Sequence, residues 1–239
     1  RKKELTRRIK DLKNRIGIEE GRKMTTALKE DASNLARWNP YDQNDVAGFF
    51  DPYWMFGLKT GFDIVIGNPP YISAPDQLKV EKLKLQRDYL AKSKRFECLV
   101  QKWDLYIAFI ELSLKYLVRD GGVFTMIVPY PLTNQTYAAK LRQMLLTRYA
   151  LVELADLQGV KVFESATVTN CIPIVVKSTP VEKVWISHAN EKRQIARAFE
   201  KSVVDLMPDK KTLVWTTSRE KKNVNRHADL HVLGDYCYI

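Results

Sequence analysis

Asn68, Pro69, Pro70 and Tyr71 stand directly behind a short β-branched run, Ile64 to Ile66, and one glycine, Gly67. Two consecutive prolines fix φ near the extended value and exclude Asn68 from helical space, so a rigid corner presents one carboxamide and one phenol. The apolar run suits a strand buried on both faces, and Gly67 lets the chain leave the sheet tightly. The corner would then stand at the strand's carboxyl end, the edge at which open α/β sheets bind ligands. Such a corner suits methyl transfer to an amine conjugated with a planar ring, of which the exocyclic amine of adenine is one example. If the Asn68 side-chain oxygen and the Pro69 carbonyl each accept one amine hydrogen, the nitrogen lone pair localises and can attack a methyl sulfonium in line. Neither acceptor has to titrate. Tyr71 would stack on the base, which must be swung out of a duplex to be reached. The same four residues also read as a plain proline turn closing a strand.

Asn-Pro-Pro-Tyr behind a hydrophobic strand resembles the catalytic motif of amino-methyltransferases, and the stretch from Phe62 to Tyr71 is similar to the adenine-specific DNA methyltransferases, particularly the fused restriction and modification enzymes of type IIG. The resemblance covers about residues 38–180. It implies a site-specific DNA adenine-N6 methyltransferase of a restriction-modification or phage-defence system. It further implies S-adenosyl-L-methionine as donor, double-stranded DNA as substrate, base flipping, and direct transfer without a covalent intermediate. On this resemblance Asn68, Pro69, Pro70 and Tyr71 are the catalytic residues. Phe163, in the loop ahead of a late strand over Thr169 to Lys177, matches the family's loop aromatic, which packs on the far face of the flipped adenine. An ordinary core phenylalanine is its other reading. Asp51 lies 17 residues before Asn68, in the aromatic-dense segment Phe49 to Gly57, where the family carries an acidic contact to the donor's adenine moiety. A structural loop packed by its own aromatics is the alternative there.

Around these residues the pattern is that of an α/β protein. Helical spacing from Trp103 to Leu117 closed by Asp120-Gly121-Gly122, a strand over Val123 to Val128, a helix over Gln135 to Arg148 and a strand over Leu151 to Leu154 predict a parallel, doubly wound sheet. With the resemblance, this is part of a Rossmann-like S-adenosylmethionine-dependent methyltransferase sheet carrying a helical N-terminal insert. Pro173 within the late strand suggests an edge or a bulge. Residues 1–16 place Leu5, Ile9, Leu12 and Ile16 on one seam of a basic amphipathic helix, and a second helix is expected over about 23–37. Ser73 to Gln101 clusters Lys79, Lys82, Lys84, Arg87, Lys92, Lys94 and Arg95, and reads either as a mobile lid gripping a DNA backbone or as a solvated helical excursion. Lys183 to Lys201 suggests strand then helix, and Asp205 to Asp229 a linker. The expected organisation is a helical basic insert over 1–37, the C-terminal part of a catalytic domain over 38–200, and a linker with the start of a target recognition domain over 201–239.

None of the ten glycines builds a G-x-G-x-x-G turn, so the chain is expected to carry the base-reacting half of the enzyme. The donor-binding half and most of the sequence reader would lie outside it, consistent with a first residue that is Arg1 rather than Met. With 39 Lys and Arg against 28 Asp and Glu, the formal net charge of +11 suits a polyphosphate partner. Cys98, Cys171 and Cys237 lack disulfide or zinc spacing and fit a reducing cytoplasm, and no apolar run is long enough for a membrane span. No metal site is expected: His227 and His231 stand four apart but lack a third ligand. Two other functions keep a place: a methyltransferase acting on a protein glutamine or on RNA, whose planar amide or base offers the same amine, and a non-catalytic nucleic-acid-binding module.

Overall fold

The computed structural model describes residues 56–163, 168–190 and 194–218, together with residues 7, 37, 39, 42, 52 and 192. The chain divides into two compact units, Arg1–Phe62 and Asp63–Ile239. Of the two expected N-terminal helices, Arg7 and Arg37 are described and both are helical. The rest of those helices, Asp51, Cys237, His227, His231 and residues 219–239 lie outside the described residues.

The described strands are β1 (Phe62–Gly67), β2 (Val118–Met126), β3 (Val128–Pro129), β4 (Ala150–Asp156), β5 (Asn170–Val176), β6 (Lys183–Ala189) and β7 (Ile195–Ser202). They form one sheet in the order β1-β2-β5-β4-β6-β7, with β3 also paired to β5. Helices α1 (Ala74–Lys79), α2 (Glu81–Lys92), α3 (Leu105–Leu112) and α4 (Ala139–Thr147) lie in the passages between them, and α5 (Val203–Leu206) follows β7. The fold is α/β, as the sequence pattern indicates. The strands are not all parallel as expected: β4 and β6 run parallel, but β5 runs against β2, β3 and β4, and β7 against β6. Parallel neighbours need a crossover of a dozen or more residues. Residues 190–194 are too few to supply one, so Lys183 to Lys201 forms two hairpin strands rather than strand and helix.

One apolar core joins helices to sheet. Ile107 and Ile110 of α3 and Leu141, Met144 and Leu145 of α4 pack with Phe124, Leu151, Leu154, Val175 and Ile186 of the strands. Helical spacing in α3 ends in a π-helical turn, Ser113–Leu117. Asp120-Gly121-Gly122 then lies inside β2 instead of closing the helix. Gly121 has φ of +74°. Its N–H donates to the Lys177 carbonyl at 2.8 Å while the Lys177 N–H donates to the Gly122 carbonyl at 2.9 Å. Two residues therefore oppose one, which is a bulge.

Pro173 sits in the middle of the sheet, not on an edge. The β2 ladder runs from Val123↔Val176 to Thr125↔Ile174, and β3 takes it up again at Val128↔Cys171. The skipped positions face Ile172 and Pro173, where proline has no N–H to give. On its other side Pro173 pairs in register with Leu154, and the nearby irregularity falls in β4 between Leu151 and Glu153, so Pro173 marks neither an edge nor a bulge of its own strand. The expected linker beyond Asp205 is, through Ser218, held on the core: Leu206 and Trp215 join the main cluster. Arg142 of α4, fully buried, donates to the carbonyls of Leu132, Gln135, Thr212 and Leu213.

Candidate active site at the end of β1

β1 brings the corner to the sheet edge at which β4 ends and β5 begins. The registers Asp156↔Cys171 and Pro129↔Asn170 place those termini side by side. Gly67 packs close to Met126: a Cβ there would come within 3.2 Å of Met126 Cε, and the methionine would have to give way. The Gly67 carbonyl accepts from the Ile127 N–H at 3.1 Å. Beyond it the ladder cannot continue, because neither Pro69 nor Pro70 has an N–H. The Ile127 carbonyl accepts from the Tyr71 hydroxyl instead, at 3.0 Å. That hydroxyl in turn accepts from Asn170 Nδ2 at 3.2 Å. Tyr71 is thus fixed from two sides by backbone and amide, while Asn68 is exposed and makes no hydrogen bond among the described residues. Pro69 is buried beneath it.

The expectation that β1 is covered on both faces fails. Ile64 is 62% and Ile66 78% exposed, whereas Val65, on the opposite face, packs on the main core. β1 ends the order of described strands, and no described element lies over the side of Ile64 and Ile66.

Phe163 reaches the corner from the loop between β4 and β5. Its ring centroid lies 6.1 Å from that of Tyr71, at an interplanar angle of 76°. The two rings assigned to base stacking from sequence are therefore neighbours in an edge-to-face pair. Residues 164–167 of that loop lie outside the described residues. Asn170 was missed as a site residue; its signal is an amide at the first position of a strand, immediately after a loop that returns to the corner.

Burial, with a smaller contribution from Cys171, pushes the Tyr71 phenol up to about 12. Burial also raises the Cys171 thiol, with the Asp156 carboxylate adding to it. Asp156 is itself buried and accepts from Thr217 Oγ1 at 2.8 Å and from the Gln158 N–H at 2.9 Å. Tyr71 is therefore a neutral hydroxyl at any physiological pH, fit to donate rather than to act as a base. Asn68 and the Pro69 carbonyl do not titrate either, so the corner offers acceptors that keep one charge state and an aromatic face.

Three of the described glycines have other work. Gly67 is filled by Met126, Gly121 and Gly122 make the β2 bulge, and Gly159 faces open space in a loop. No group of His, Cys, Asp and Glu among the described residues could hold a metal ion. The cavity lined by Glu97, Cys98, Lys140, Gln143, Met144, Thr147 and Arg148 shares no residue with the corner.

The family model described as Eco57I restriction-modification methylase matches residues 2–163. The type II methyltransferase M.BstVI of Geobacillus stearothermophilus is 30% identical over 124 residues, 51% of this chain and 20% of that protein. M.XhoI of Xanthomonas vasicola, also a type II methyltransferase, is 33% identical over 132 residues, 55% of this chain and 23% of its own length. The chain thus spans about a fifth of the relatives it matches. A type I restriction-modification methyltransferase subunit from Streptococcus thermophilus aligns with a TM-score of 0.42 at 20% identity, over 59% of this chain and 30% of that one.

Proposed function

From the premise that the chain belongs to the Eco57I restriction-modification methylase family, we propose that it carries the base-reacting part of a DNA adenine-N6 methyltransferase. The observation that supports this most directly is the exposed, unengaged Asn68 amide at the end of β1, beside a Tyr71 ring locked by Ile127 and Asn170 and faced by Phe163. An adenine extruded from the duplex lies against the Tyr71 ring; Phe163, edge-on to that ring at 6.1 Å, swings aside to admit it and packs on its far face. Its exocyclic amine donates one hydrogen to Asn68 Oδ1 and one to the Pro69 carbonyl. Both acceptors withdraw the amine from conjugation with the purine, and the proline pair holds still the backbone that carries them. We take S-adenosyl-L-methionine as the source of the methyl group. We assign Asp51 to the donor's adenine moiety and the rest of its binding residues to parts of the protein beyond the described ones. The same reading assigns residues 201–239 to a linker and the start of a target recognition domain, and the working compartment to the cytoplasm.

In the intact enzyme, Asn68→Ala is expected to lower single-turnover methylation of DNA at least a thousandfold, in line with the loss of a fixed transition-state hydrogen bond. DNA affinity should stay within a few-fold. Wild-type turnover by the alanine variant would rule out the mechanism. Labelled donor offered with DNA, RNA and protein together separates the substrates: label confined to protein or to RNA would replace the DNA reading.

A further inference from the structure

Between the corner and α3 the chain makes a helical excursion whose two sides differ. α1 begins three residues past Tyr71, so it starts within about 11 Å of chain from the aromatic ring's backbone. Ser73 caps it, accepting from the Asp76 N–H at 3.3 Å. α2 follows and buries none of its residues completely. Leu83, Arg87 and Leu90 form its half-covered side. The Arg87 guanidinium donates to the carbonyls of Trp103 at 2.7 Å and Gln101 at 3.1 Å, and lies 4.1 Å from the centroid of the Trp103 ring. One cation of the basic cluster is thus a strut that fixes the helix to the body of the protein.

The other side of α2 repeats Lys82, Leu85, Tyr89 and Lys92 at steps of three, four and three, which is a single stripe on a helix. Leu85 is 61% and Tyr89 69% exposed. Lys84 flanks the stripe, and Lys94 and Arg95 continue it past the helix end. None of these five cations forms an ion pair among the described residues, whereas Asp76 of α1 is taken by Lys79 at 3.0 Å. The helix also carries two exposed acids, Glu81 and Asp88, against these five cations, so the face is net positive. With a phenol and an aliphatic chain between its lysines it is complementary to a sugar-phosphate backbone: ammonium groups for the phosphates, a hydroxyl donor, and an apolar surface for the deoxyribose. Lys82 and Lys92 stand about 15 Å apart along the helix. That is the run of about four phosphates on one strand of a duplex, at about 3.4 Å of axis each.

We propose that this outward face of α2 binds the backbone of duplex DNA next to the base held at the Asn68 corner, fixing the duplex while one nucleotide leaves it. The proposal rests on the reading of the corner as acting on DNA. Fluorescence anisotropy of the intact enzyme with a labelled 30-base-pair duplex, over a salt series, tests it. The triple substitution Lys82→Gln, Lys84→Gln and Lys92→Gln is expected to weaken binding tenfold or more near 0.1 M salt. It should also make the slope of log Kobs against log[salt] shallower by about 2 to 3. Lys192→Gln, Lys210→Gln and Lys211→Gln, which remove the same charge elsewhere, should leave the slope within about 1 of wild type. Equal effects of the two triples, or none from the first, would overturn the proposed face. If Leu85→Gln with Tyr89→Gln dissolves a self-associated state while DNA affinity stays at the wild-type value, the face is a protein contact and the proposal is overturned. A wild-type enzyme that methylates DNA while the first triple binds as well as wild type would sink the face and leave the proposed function standing. A wild type without DNA affinity at any salt would overturn both.

Discussion

The Tyr71 side chain has two separable duties, and single-atom chemistry tells them apart. Its ring offers a stacking face; its hydroxyl closes a backbone carbonyl that two prolines have left without an N–H partner. Tyr71→Phe keeps the ring and strands the Ile127 carbonyl, at a cost of about 1 to 2 kcal/mol of stability and a few-fold in methylation by the intact enzyme. Tyr71→Ala removes the stacking surface itself and should cost about a hundredfold or more in methylation, from about 1 to 3 kcal/mol of stacking plus misplacement of the base. Equal rates for the two variants would remove the ring from the mechanism. The pH dependence follows from the same burial. A phenol raised from 10 to about 12 keeps its proton in the folded state after the unfolded chain has lost it. Its contribution is therefore complete below pH 10 and declines as pH rises from 10 through about 12. Thermal melts of wild type and Tyr71→Phe across pH 8 to 11.5 should converge toward the alkaline end, and turnover should show no ionisation of Tyr71 between pH 6 and 9. Asn68, Pro69, Pro70 and Tyr71 were legible because proline geometry acts within one or two residues. Asn170 was not, since its role depends on β5 starting beside β3, a pairing set 40 residues away.

Elements were legible where a local period settles them and illegible where their neighbours do. The helical faces of α3 and α4 follow from spacing, and Ile107, Ile110, Leu141 and Leu145 are buried as that spacing requires. Asp120-Gly121-Gly122 carries the same local signal whether it ends a helix or bulges a strand, and the choice is made by Lys177 on the facing strand. Pro173 misleads for a related reason: a missing N–H is tolerable in mid-sheet where the adjoining ladder is already interrupted. The segment after Asp205 looked like linker from its charges, but a residue far upstream holds it. Arg142 supplies a buried guanidinium to four carbonyls, and burial lowers it only to about 10, so it stays charged at neutral pH. Arg142→Met fills much of the same volume but leaves those carbonyls without their donor, at an expected cost of about 2 to 4 kcal/mol. Limited trypsin digestion should then cut after Lys210 or Lys211 at least tenfold faster than in wild type. Unchanged cleavage and melting would show that Trp215 and Leu206 suffice to hold the segment.

At the scale of the whole molecule, the most informative surface is the bare side of β1. An apolar β-branched pair standing open at the end of a sheet invites association, and natural edges are normally blunted by charge, proline or cover. Ile64 and Ile66 have no cover among the described residues, and the charge on β1, Asp63, is paired with Arg119, while relatives of this chain are about five times as long as the part it matches. We propose that in the intact protein further structure lies over this face, and that the donor-binding half supplies it. A single substitution separates that arrangement from one in which the face stays in water, because the two give different signs. In the 239-residue chain by itself, Ile66→Lys replaces a side chain that is 78% exposed, so it should move stability by no more than about 0.5 kcal/mol and raise the concentration at which the protein stays monomeric. In the intact enzyme the same lysine would be forced beneath a covering layer without a partner. A loss of about 3 to 5 kcal/mol is expected there, read as a large drop in melting temperature and in donor affinity measured by calorimetry. A variant that melts like wild type in both contexts would leave β1 a true edge, and the donor would then have to be held by some other surface than the one beside Ile64 and Ile66.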